Sequence, residues 1–373
     1  MNIKFAAVAA LLGSTCAASA GGIDRSGQSI TALFENGRYG ELSFASVSPS
    51  TSGTSVAGLG SRNSGDLTPS YFQFGAAYKA DINEQLSYAL IYDQPFGADV
   101  AYPGGTGYFA QGSKAEFESH AITGLLRYKM ANNVSVHGGV RVQTIEASAT
   151  VPFVTGAAGP FAGAPYTVKG ERETGVGYVL GAAYEKPEIA LRVSLTYNSA
   201  ISYDVDTTES SVLGPNRSTT EVETPQSVNL EFQTGIAADT LLFGGVRWTD
   251  YSEFKIPPAS YAALTGSSLL SYADDVYTYS LGVGRKINDT WSVSASVGYE
   301  KSNGGFASNL GPTDGNKSLA LAAVYTRDNM KITTGVRYVN IGDAQTAIPN
   351  FAPAANFEDN DAVAFGMKVG FTF

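Results

Sequence analysis

Trp291-Ser292-Val293-Ser294-Ala295-Ser296-Val297-Gly298-Tyr299-Glu300 alternates apolar with small or polar residues along its whole length. Side chains of a strand alternate between its two faces, so this ribbon is greasy on one side and polar on the other. Ile189, Leu191, Val193, Leu195 and Tyr197 repeat the pattern against Ala190, Arg192, Ser194, Thr196 and Asn198. The chain closes on it too, with Val363, Phe365, Met367, Val369, Phe371 and Phe373 opposite Ala364, Gly366, Lys368, Gly370 and Thr372.

A soluble sandwich also alternates, but three features point to a membrane barrel. The segments run for about ten residues, the length of a tilted membrane-crossing strand rather than the five or six of a globular one. Their apolar faces end in aromatics, among them Tyr78, Tyr88, Tyr128, Tyr184, Trp248, Tyr299 and Tyr338, where a ring suits the boundary between lipid and water. The terminal outward residue is Phe373, the kind of end by which outer-membrane barrels are handed to the barrel-assembly machinery.

Composition agrees. Only 16% of the 373 residues are charged and 11% are aromatic, against about 25% charged in ordinary globular domains. One cysteine, Cys16, and two histidines, His120 and His137, exclude disulfide scaffolds, Cys/His zinc sites and most nucleophile–histidine enzymes. A net charge of −10 without a Lys/Arg run argues against nucleic acid. No Walker-type loop occurs, and no enzyme activity, metal or cofactor is expected.

Lys4, the apolar run Phe5 to Leu12 and the small residues Ala18-Ser19-Ala20 read as a secretory signal peptide, residues 1–20. The run is far short of the roughly 20 residues of a spanning helix. Short polar turns fall at 81–85, 130–133, 185–188, 237–240, 288–290 and 327–329. Longer Gly-, Ser-, Pro- and Thr-rich loops fall at 48–67, 103–113, 152–166, 208–220, 257–271, 303–316 and 344–359. Together they join fourteen strands, expected at 31–47, 69–80, 85–98, 114–130, 134–149, 167–184, 189–205, 221–236, 240–254, 273–287, 291–302, 317–326, 330–342 and 361–373. The fold class is therefore all-β, a closed transmembrane antiparallel barrel whose even strand count leaves no edge in lipid. Residues 21–30 form a short periplasmic or lumenal segment and 31–373 the barrel, set in the outer membrane of a Gram-negative bacterium among lipid and lipopolysaccharide.

Several stretches resemble the long-chain fatty-acid transporter family of outer-membrane proteins (FadL/TodX type). They are Ile30 to Gly37 leading through Glu41-Leu42-Ser43-Phe44 to Pro49 and Gly53, Asp93-Gln94-Pro95-Phe96-Gly97, Thr224-Pro225-Gln226-Ser227-Val228, and Thr240 to Ser252 with Arg247-Trp248-Thr249-Asp250. The likeness spans essentially the whole mature chain and implies fourteen strands. It also implies a longer N-terminal plug than residues 21–30 can supply, so a full plug is not expected and the lumen is expected to be more open.

The resemblance implies passive uptake of long-chain fatty acids or other hydrophobic small molecules; the alternative is a general porin for small polar solutes. Pro95, Phe96 and Gly97 mark a lateral opening, since Pro95 has no amide donor and Gly97 tolerates unusual backbone angles. Two outer loops are greasy enough to capture substrate. Phe153 and Phe161 mark one, and Pro257, Tyr261 and Leu264 the other. The bland alternative is that these loops only cap the barrel. The polar parity turns Arg127, Arg141, Arg192, Arg247, Arg285, Arg337 and Lys368 to the lumen. Arg141, Arg192 and Arg247, nearest mid-strand, are candidates for a carboxylate head group; the alternative is pairing with Asp93, Glu231 or Glu300.

Overall fold

The computed structural model describes residues 23–152, 165–348 and 351–373. The expected signal peptide and the loop residues Phe153 and Phe161 lie outside the described residues. Fourteen antiparallel strands follow one another round a closed sheet: β1 Tyr39–Ser50, β2 Tyr71–Asp81, β3 Leu86–Asp93 with Gly97–Ala101, β4 Lys114–Lys129, β5 Val134–Val151, β6 Tyr166–Lys186, β7 Leu191–Asn198 with Ile201–Ser211, β8 Gly214–Thr224 with Ser227–Ala237, β9 Thr240–Thr249, β10 Val276–Lys286, β11 Trp291–Glu300, β12 Asn316–Arg327, β13 Met330–Ile341 and β14 Asp361–Thr372. β1 closes the ring on β14, in register from Tyr39↔Thr372 to Ser50↔Asp361.

The tight periplasmic turns use residues that accept a left-handed backbone. Asn133, Asp239 and Asp328 all have φ between 52° and 65°, a region Asn and Asp enter more readily than most residues. Outer loops contribute a four-stranded sheet, Gly53–Ser55, Phe306–Ala307, Ala344–Ile348 and Phe351–Phe357, and one short helix, α1, Ala259–Thr265.

Two expected boundaries are corrected. The first strand begins at Tyr39 rather than residue 31, because Thr31–Phe34 is a 3-10 helix buried inside the barrel. The segment expected as a loop at 208–220 is instead the top of a β7–β8 hairpin, paired from Ile201↔Thr224 to Ser211↔Gly214.

The alternation changes sense along the barrel. In the lower band, outward Leu126, Val140, Leu180, Leu195, Leu281, Val297, Leu321 and Phe365 are all exposed, while inward partners such as Ser194, Thr196, Ser294 and Ser296 are buried. That is the pattern of a lipid-facing wall. Higher up, β7 turns Ile201, Tyr203 and Val205 inward and Ser202, Asp204 and Asp206 outward. Plain parity from Leu195 and Tyr197 puts the odd residues outside; the interruption at Ser199-Ala200 reverses it. Above the lipid the outside is water, so burial of apolar side chains favours the lumen instead.

Candidate functional site

β3 breaks where the sequence suggested. The pairing of β3 with β2 runs from Asp81↔Ser87 only as far as Ala76↔Tyr92, so Tyr71 to Gly75 keep their β1 partners but face no strand on the other side. Polar groups freed in a membrane wall must find partners, and three of them take side chains. Ser119 Oγ accepts from the Phe96 amide at 2.8 Å and donates to the Phe96 carbonyl at 2.7 Å, while Gln94 Oε1 accepts from the Phe74 amide at 2.9 Å. A cavity of about 60 Å³ perforates the wall there, touched by inward Ser43, Gln73 and Asp93 and by outward Phe44, Phe74 and Tyr92.

The N-terminal segment, expected as a short periplasmic or lumenal stretch, completes this break and crosses the lumen. The Arg25 amide donates to the Pro95 carbonyl at 2.8 Å and the Gly97 amide to the Ile23 carbonyl at 2.8 Å, a single antiparallel bridge between Asp24 and Phe96. Across the lumen Asp24 Oδ2 meets Arg247 Nε at 2.5 Å. Arg247 also donates to the Gly27 carbonyl, Ser227, Asn229 and Gln28 at 2.7–3.2 Å. Below, Leu33 is fully buried and the Phe34 ring lies between the Arg127 and Arg192 guanidiniums at 4.6 and 4.7 Å. The open lumen expected for so short a segment is therefore not found: residues 23–34 stopper it. Arg247, expected to meet a ligand or a wall carboxylate, holds this segment instead. Arg192 packs on it, and Arg141 hydrogen-bonds Thr123 and Asn198 at 2.9 and 3.1 Å.

Above the stopper lies an apolar chamber of about 60 Å³. Phe117, Ile145, Val168, Val205 and Val222 form its walls and Ile256, Leu269, Leu270 and Leu310 its roof. None of the wall residues was singled out from the sequence. Phe117, Val205 and Val222 alternate with Glu116 and Glu118, Asp204 and Asp206, and Glu221 and Glu223; a lipid-facing strand with a charged lumenal side shows the same alternation, so parity alone does not reveal that these apolar side chains point inward.

The greasy loop at 256–270 folds over this chamber. Glu209 fixes it, accepting from the amides of Ser260 and Tyr261 at 2.9 and 3.2 Å and from Tyr166 Oη at 2.7 Å. Tyr261 packs on Tyr166 with ring centroids 5.1 Å apart, and Leu264 joins Ala149, Tyr166 and Val168. Pro257 is exposed, whereas its neighbours Ile256 and Pro258 line the chamber. Burial raises the Tyr261 phenol above its ordinary pKa. Outside the roof a larger groove of about 330 Å³ is lined by Tyr102, Phe109, Tyr261 and Phe306 and shares Leu269 and Leu310 with the chamber. On its other side, where Glu116 and Glu146 also reach its edge, the chamber shares Ala98, Glu116 and Phe117 with a cavity of about 140 Å³ at the β3 break. Groove, chamber and break thus lie in series.

The two histidines do not meet. His120 stacks on Tyr92 on the outer face, with Nδ1 2.8 Å from the phenol oxygen, whereas His137 lies in the lumen 3.1 Å from Thr196 Oγ1. Among the described residues no group of three or more His, Cys, Asp or Glu is disposed to hold a metal ion.

The sequence profile of a family described as outer membrane protein transport protein (OMPP1/FadL/TodX) matches residues 21–373. No curated protein sequence matches the chain. Among solved structures, a Pseudomonas aeruginosa FadL homologue superposes with a TM-score of 0.74 at 14% identity, covering 92% of each chain. The P. putida toluene transporter TodX gives 0.66 at 11%, again covering 92% of each. The Ralstonia pickettii toluene transporter TbuX gives 0.64 at 12%, covering 92% of this chain and 91% of its own. At such identities these likenesses establish the shared barrel fold.

Proposed function

The chain belongs to the outer membrane protein transport family (OMPP1/FadL/TodX), and from that premise we propose that it admits hydrophobic small molecules through the outer membrane, passively and sideways. Substrate enters the groove between the outer loops, passes the Leu269–Leu310 roof into the apolar chamber, and leaves through the β3 break into the membrane. The observation that carries this reading is the serial sharing of walls by the three cavities, while the lumen below is stoppered by residues 23–34. Two of the similar structures bear the name toluene transporter, which supports an apolar cargo. The stopper argues against a general polar porin. The exposed Phe373 ring serves recognition by the barrel-assembly machinery.

Uptake by whole cells tests the route. In a host lacking its own hydrophobe channels, Ala98→Phe plugs the shared wall, and the pair Pro95→Val, Gly97→Val restores a regular β3. Both are expected to reduce uptake of a radiolabelled apolar probe to the empty-host rate while the barrel still folds. Undiminished uptake in a folded variant contradicts the lateral route.

A further inference from the structure

The β3 break is not an apolar hole. Arg25 enters it from the lumen: its guanidinium carbon lies 4.0 Å from the Tyr71 ring centroid. The side chain crosses Gly97 so closely that a Cβ there would meet Arg25 Nε at 2.5 Å. The cavity at the break is lined by Arg25 together with Asp99, Glu116 and Glu118. Asp99 and Glu116 stand opposite one another in the β3–β4 register, and Glu118 opposite Gly97. One cation is thus outnumbered by carboxylates on the extracellular lip. The lip nearer the bilayer centre is aromatic: Phe44, Phe74, Tyr92 and His120 form a row across four strands with successive centroids 5.1, 5.7 and 6.2 Å apart.

Deeper in, a carboxylate finds no welcome either. The chamber lining contains no basic residue. Lumenal cations here have partners: Arg247 with Asp24, Arg127 with Glu185, Lys368 with Glu41 at 3.2 Å, Arg141 with Thr123 and Asn198, and Arg192 with the Phe34 ring and the charge of Glu231. Unlike charges in a partly desolvated opening act strongly on an ion and hardly at all on a neutral molecule.

We infer that the opening in β3 is a charge filter, set by Asp99, Glu116 and Glu118 round Arg25, that passes neutral hydrophobic molecules and turns back carboxylates. This rests on the route proposed above and narrows its cargo to uncharged compounds.

The test uses two probes of one chain length, dodecanol and dodecanoate, at neutral pH in whole cells lacking other hydrophobe channels. The wild-type protein should raise dodecanol uptake over the empty host and favour it over dodecanoate by about tenfold or more. The variant Asp99→Asn, Glu116→Gln, Glu118→Gln should raise the dodecanoate-to-dodecanol ratio by about tenfold. Arg25→Met, which leaves the carboxylates unopposed, should lower that ratio and gives an independent reading if the triple variant does not assemble. Equal wild-type uptake of the two probes, or ratios unmoved by the substitutions, overturns the filter while leaving the uptake route standing. If neither probe enters faster than in the empty host, the uptake route itself is wrong and the filter falls with it.

Discussion

The lower and upper halves of this barrel obey the same two-residue rule with opposite signs. In the lower band Leu281, Val297 and Leu321 face out and serines face in; in the upper half Phe117, Val205 and Val222 face in while Glu116, Asp204 and Glu221 face out. The difference lies in the solvent outside. Lipid rewards an apolar exterior and leaves the polar side chains to the lumen, whereas water reverses the preference and creates an apolar chamber without any change of fold. The reversals cost a regular ladder. β7 is interrupted at Ser199-Ala200, β8 at Pro225-Gln226, and the β5–β6 register shifts between Ile145 and Ala147.

The border between the halves is stitched by the N-terminal segment, and the largest effect is expected there. Asp24→Ala leaves the Arg247 guanidinium buried without its carboxylate, destabilising the stopper by about 3–5 kcal/mol. Hydrogen exchange at residues 23–34 should accelerate and ion conductance in planar bilayers should rise. Unchanged exchange would show that Arg247 does not hold the segment. Next in size is a direct contrast of the two halves by one kind of substitution. Leu281→Arg in the lipid-facing band should cost about 2–4 kcal/mol, and Asp204→Arg on the outer face of the upper half should stay within about 0.5 kcal/mol. Urea unfolding from liposomes measures both, and equal costs would erase the distinction between the halves.

Much of this was legible in the sequence. Strand number follows from alternation and turn spacing, because a one-residue slip exchanges every side chain between lipid and lumen. The β3 break was marked by Pro95 and Gly97, and the greasy loop by Ile256 to Leu270. The chamber is hidden because an unbroken parity through Ser199-Ala200 puts Val205 toward lipid and Asp204 and Asp206 in the lumen, a pattern every barrel wall shows, and nothing in the sequence marks the reversal. The stopper was hidden for another reason. Its contacts join residues as remote as Asp24 and Arg247, 223 positions apart, and a short segment without periodicity gives no sign of which wall it will reach. For the same reason Arg247 was a credible ligand-binding arginine until its partner was seen.

Crystals of the barrel soaked with bromobenzene, located by the anomalous scattering of bromine, test the central claim most directly. The account predicts bromine in the chamber bounded by Phe117, Val205 and Leu270 and, along the exit, beside Phe74 and Tyr92. Bromine confined to the periplasmic side of Leu33 and Phe34, with the chamber empty, would contradict it.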